Sequence, residues 1–112
     1  MRSKYWVGEG DHDVVIRTQL TDEDGNAVNV AQAINIAFRM RKARTREAPV
    51  VDGVATAFDP NNGIVQYKFM TGETDIPGEY DAQWIVTFSL GEVQTFPGDG
   101  YDRVIVIDDL AD

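Results

Sequence analysis

Apolar and polar side chains alternate with a period of two along almost the whole chain, the spacing of strands rather than of helices. Across residues 13–21, Val14, Ile16, Thr18 and Leu20 fall on one face and Val15, Arg17, Gln19 and Thr21 on the other. That pattern predicts a half-buried strand, which Asp22-Glu23-Asp24-Gly25-Asn26 ends as a turn. Ile34, Ile36, Phe38 and Met40 alternate with Asn35, Ala37, Arg39 and Arg41 in a second strand. Residues 54–58 predict a short third one, stopped by the dense turn signal Asp59-Pro60-Asn61-Asn62-Gly63. Residues 64–69 follow, with Val65, Tyr67 and Phe69 expected on the core face.

The longest strand is expected from Tyr80 to about Leu90, with Tyr80, Ala82, Trp84, Val86, Phe88 and Leu90 facing inward. A turn at Gly91 leads to a strand over residues 93–96, and Pro97-Gly98-Asp99-Gly100 interrupts it. Residues 101–107 form the last strand, apolar on both faces at its end, as a central or covered strand would be. Residues 1–10 read either as an edge strand over the core or as an exposed arm carrying Tyr5, Trp6 and Val7. Helix is expected only at residues 28–33, and there as a single turn capped by Asn29. About seven to nine short strands, Gly/Pro/Asn turns and no substantial helix predict an all-β sandwich, one domain over residues 1–112.

Composition adds exclusions. Nineteen acidic residues against ten basic give a net charge of −9, which opposes binding of the whole surface to nucleic acid or anionic membrane. The absence of cysteine removes disulfides, thiolate catalysis and Cys-type zinc sites. No apolar run has the length of a signal peptide core or a membrane span, so the expectation is synthesis in a cytoplasm with no membrane partner. With one histidine, His12, and two serines, Ser3 and Ser89, a Ser-His-Asp site is not expected. No catalytic residue and no cofactor is assigned.

Metal is weighed at two places. Asp22-x-Asp24-Gly25-Asn26 clusters the oxygens that calcium requires. Its glycine is fourth rather than sixth, however, and Ala33 stands where the closing glutamate would be. It reads as a solvated turn. Asp11-His12-Asp13 reads the same way, since one histidine between adjacent carboxylates does not make a zinc site.

The remaining candidates concern partners. Arg39, Arg41, Lys42, Arg44 and Arg46 place five of the ten basic residues within eight positions. Arg39 and Arg41 are expected on the outer face of a strand, the others in the loop after it. No aromatic residue interleaves with them, so base stacking is not indicated. Contact with an acidic neighbouring subunit is the expectation, with Tyr5 and Trp6 as aromatic anchors.

The segment Asp75-Ile76-Pro77-Gly78-Glu79-Tyr80-Asp81-Ala82 resembles the tyrosine corner of immunoglobulin-like sandwiches, carried by Gly78 and Tyr80. The resemblance implies that the Tyr80 hydroxyl bonds to backbone in the preceding loop. Asp75 lies one place further upstream than the acidic residue of that pattern. Further pieces lie in order along the chain: Ile16 to Gly25, Ile36 to Arg41, Asn62 to Tyr67, the corner itself, Trp84 to Phe88, and Gln94 to Pro97. Together they resemble the small immunoglobulin-like domains of tailed-phage virion proteins, including the N-terminal domain of phage baseplate upper proteins. The likeness spans roughly residues 8–110. It departs at Asn29-Val30-Ala31-Gln32, where that family reads Asp-Leu-Thr-Gly, and these 112 residues hold no long trimerising region.

The resemblance implies a non-enzymatic virion component, present in many copies or as a homo-oligomer. It would be a tail or baseplate adaptor whose partners are other virion structural proteins. A capsid decoration protein is the alternative within that class. A carbohydrate-binding module is the alternative outside it, and needs exposed coplanar aromatics where Trp84 and Phe88 are expected to face inward.

Overall fold

The computed structural model describes residues 3–11, 13–98 and 100–108. His12 and Asp99 therefore lie outside the described residues, as do both termini. Among the described residues nine strands form: β1 (Lys4–Gly8), β2 (Val15–Gln19), β3 (Ala33–Lys42), β4 (Val51–Val54), β5 (Thr56–Asp59), β6 (Ile64–Lys68), β7 (Gly78–Phe88), β8 (Val93–Phe96) and β9 (Asp102–Ile107). They build an all-β sandwich of immunoglobulin-like design. The larger sheet runs β1-β9-β7-β3-β4, with β8 also on β7; the smaller runs β2-β6-β5. The N-terminal strand β1 pairs with β9 in parallel, and the other pairings are antiparallel.

Alternation places the core where the sequence pattern puts it. Phe38, Val65, Phe69, Trp84, Val86 and Val104 are fully buried between the sheets. Phe38 is the hub: its ring lies 4.8 Å from Trp84 and 4.8 Å from Tyr67, and Phe69 meets it edge-on at 6.0 Å. Such contacts add to simple apolar burial because edges and faces of rings attract.

Four local expectations are corrected or refined. Residues 54–58 are not one strand. The chain leaves the larger sheet after Val54 and joins the smaller one at Thr56, and the buried Ala55 between them bonds its N–H to Ile36 O at 2.7 Å. Residues 28–33 hold no helix; the single turn expected there is a hydrogen-bonded turn, with the Ala33 N–H donating to Val30 O at 3.0 Å, and Asn29 is its cap, Oδ1 accepting the Ala31 N–H at 2.8 Å. The one helical piece among the described residues is a 3-10 turn, Pro60–Asn62, within the dense turn signal that ends the expected third strand. Gly63 ends it with φ 68°, and a Cβ there would run into the Val28 carbonyl. Finally, Ile34 and Leu90 are solvent-exposed, not core. A register shift between Ala33 and Asn35 turns Ile34 outward, and Leu90 lies beyond the end of β7.

Candidate partner-binding face

Because successive strand residues point to opposite faces, the strands that bury Phe38 and Trp84 also fix what the larger sheet shows to solvent. Strand register arranges that outer face in rows. Ala37 sits between Val54 and Ile85, and Arg39 between Asp52 and Gln83. Arg41 faces Asp81, which faces Arg103. Glu79 faces Ile105, which faces Trp6. A charged belt thus separates an apolar row from an apolar corner.

The belt is not the isolated basic patch that the sequence suggests. Arg39 Nε pairs with Asp52 at 3.1 Å, and Arg44 Nη1 lies 3.4 Å from Glu79. Arg41 donates to the Tyr101 hydroxyl at 2.9 Å and lies near its ring, 5.3 Å from the centroid. Lys42 still belongs to β3, opposite Tyr80, and so points away from the face that carries Arg39 and Arg41. Lys42 and Arg46 have no carboxylate in ion-pair range among the described residues. Sequence alone missed Arg103, whose guanidinium bridges Glu79 at 2.9 Å and Asp81 at 3.2 Å. The Arg103 hydrogen bond and then Arg44 hold the Glu79 carboxyl below its usual range.

Tyr5 and Trp6 separate. Tyr5 packs inward against the core and donates to Asp102 Oδ2 at 3.3 Å, so it is not an exposed anchor. Burial, with the neighbouring Asp102 charge, pushes its hydroxyl up to about 12. Val7 is buried as well, whereas Trp6 is 60% exposed, with Ile105 beside it and Ile107, 49% exposed, on the same outer face. The N-terminal arm is therefore an edge strand over the core that shows one large aromatic outward.

At the other side of β7, Tyr80 is buried and its hydroxyl donates to Ile76 O at 2.6 Å, the bond that a tyrosine corner makes. Gly78 takes φ 145°, a backbone conformation that side chains disfavour. Replacing Tyr80 by phenylalanine should cost about 1–3 kcal/mol, since it leaves the Ile76 carbonyl without its donor. Urea unfolding of the two proteins measures this, and an unchanged midpoint would mean that water replaces the hydroxyl.

Asp102 is, with Asp81, a buried carboxylate that sequence alone does not single out, although it shares its parity with Val104 and Val106. It accepts the Ser3 N–H at 2.8 Å, the Trp84 indole at 3.3 Å and the Tyr5 hydroxyl, tying β1 to β9 and β7. Burial pushes its carboxyl above the ordinary range, against the pull of these donors. The native state therefore binds this proton more tightly than the unfolded chain. From the unfolded value of about 3.9 up to the raised native one, stability should fall as pH rises. Glu79 acts in the opposite sense and is present in both proteins compared. Asp102→Asn should lose the falling component, read as unfolding free energy against pH; a profile parallel to wild type would assign it elsewhere.

The Asp22 turn caps itself, since Asp22 Oδ1 accepts the N–H groups of Asp24 and Asn26, each at 2.9 Å. Among the described residues, no group of three or more His, Cys, Asp or Glu side chains could hold a metal ion. No helix in the described residues is long and apolar enough to cross a membrane.

No protein-family model matches the chain, and no curated protein does. Among solved structures, the chain is similar to CopC from Methylosinus trichosporium OB3b, at 15% identity. The match covers 95% of this chain and 85% of that one, with a TM-score of 0.53. At that identity the likeness is one of fold, a β-sandwich, and transfers no ligand and no role.

Proposed function

We propose that this chain is a non-enzymatic structural subunit of a tailed-phage particle, a tail or baseplate adaptor that docks on neighbouring subunits through the outer face of its larger sheet. One observation carries the docking reading: Trp6 stands 60% exposed on an edge strand, beside Ile105 and next to a belt of paired charges. An exposed tryptophan against an aliphatic neighbour, rimmed by charge, has the make-up of an interface hot spot. The order of sequence pieces that resembles virion domains supplies the particle. A carbohydrate-binding role draws less support, because the exposed Trp6 and Phe58 lie on different sheets and Arg17 stacks over the Phe58 ring at 3.7 Å.

The experiment is Trp6→Ser. Its melting temperature should match wild type, because an exposed side chain contributes within about 0.5 kcal/mol. Its copy number in purified particles should fall severalfold. Full incorporation of the variant would remove this face from the interface, and recovery of the chain on capsids alone would favour the decoration role over the adaptor.

A further inference from the structure

A second surface, on the opposite side of the charged belt, is an unfinished sheet. The larger sheet is continuous along β1, β9 and β7, but β8 pairs with β7 alone. Both β8 and β9 run antiparallel to β7 on the same edge, one after the other. The parallel strand β1 covers only β9, beginning at Lys4 opposite Arg103. Among the described residues, no strand pairs with the outer edge of β8.

The open hydrogen-bonding groups can be named. Phe88 N–H donates to Glu92 O at 2.8 Å, which sets the phase of the β7–β8 ladder. Residues then alternate between facing the partner and facing away. The N–H and C=O groups of Gln94 and Phe96 face β7, and those of Val93 and Thr95 face the vacant edge. Across the gap, β2 is likewise an edge strand, paired with β6 alone. Between these two edges the sandwich opens into a cleft of about 1040 Å³ over Leu20, Trp84 and Phe96. Its other lining residues include Asp22, Glu23 and Asp24, and among the described residues no lysine or arginine.

We infer that this cleft receives an extended, cationic segment of a partner protein, added as a strand alongside β8. Strand addition takes its affinity from main-chain bonds to an open edge and its selectivity from pockets for alternate side chains. Here Val93 and Thr95 supply the bonds, and the exposed carboxylates of Asp22, Glu23 and Asp24 select lysine or arginine. A second copy of this chain does not meet the requirement. Its cationic run lies partly in β3, held between β4 and β7, and partly in the loop after it. Arg39 and Arg44 are already paired with Asp52 and Glu79, and Arg41 donates to Tyr101, which leaves Lys42 and Arg46, too few for an alternating cationic strand. This inference concerns a different surface from Trp6 and stands apart from the phage assignment.

The probe is a short synthetic peptide of alternating lysine and valine, with a glutamate-for-lysine version as control. Titration into the full chain, followed by amide hydrogen exchange, should show the lysine peptide protecting Val93 and Thr95, with affinity falling as salt is added. Thr95→Pro removes an amide that faces away from β7, so the fold should survive while affinity drops about tenfold or more. Glu23→Gln with Asp24→Asn should weaken binding without touching the edge. Several results would overturn the inference: no binding, equal binding by Thr95→Pro, or equal binding of the glutamate peptide. Self-association of the free protein that protects the same two amides would assign the edge to a second copy instead.

Discussion

Trp84→Ala should cost about 3–5 kcal/mol, a large part of the roughly 5–15 kcal/mol that holds a domain of this size together. The side chain is fully buried at the centre of β7, against Phe38 at 4.8 Å, and its indole N–H donates to Asp102. Truncation opens a cavity between two sheets that cannot collapse without breaking the β3–β7 pairing, and it removes one of the donors to a buried carboxylate. Thermal unfolding should show the midpoint falling by about 10 °C or more. A midpoint within a few degrees of wild type would mean that the sheets close over the gap and that Phe38, rather than Trp84, organises the core.

Arg103→Ala should rank next, at about 3 kcal/mol, for an electrostatic reason. Its partner Asp81 is 7% exposed, so removing the cation strands a carboxylate away from water. Yet the pair itself is imperfect. Arg103 Nη2 lies 3.2 Å from Asp81 Oδ1 without a directed hydrogen bond, and Arg103 Nε is buried with no acceptor. Replacing both residues by valine should therefore recover most of the loss, because a cross-strand apolar pair needs neither partner. Recovery will be incomplete by about 1 kcal/mol, since Asp81 Oδ2 also accepts the Arg44 N–H at 3.2 Å. Guanidinium unfolding of the single and double variants measures both terms. A double variant as unstable as Arg103→Ala would show that the charges themselves are needed.

Much of this architecture was legible in the sequence, and the reasons differ by element. The alternation in β6 and β7 is strict, so Val65, Tyr67, Phe69, Ala82 and Trp84 could be assigned to the core from parity alone. Tyr80 was legible because Gly78 marks the turn before it. The crossing at Ala55 was not, because a strand that changes sheets keeps its period of two and leaves no mark in the pattern. Ile34 failed for the related reason that a bulge shifts parity by one.

The candidate face was half legible. Clustering revealed Arg39, Arg41, Lys42, Arg44 and Arg46, but sequence proximity could not show that Asp52, Glu79 and Asp81 arrive beside them by register. Nor could it separate Tyr5 from Trp6 until β1 was paired with β9, which turns one inward and the other outward. Asp102 left a signal, an aspartate in phase with two core valines, that parity reasoning could have used.

The measurement that bears most directly on the central proposal is the abundance of this chain in purified tailed-phage particles from the replicon that encodes it. Quantitative mass spectrometry of gradient-purified virions, followed by cryo-EM of the tail and baseplate, supplies it. The expected result is a fixed, multi-copy stoichiometry relative to the major tail protein, with density for the sandwich in contact with neighbours through the sheet face that carries Trp6. Absence of the chain from intact particles, or its recovery only as free protein in the lysate, would contradict the account.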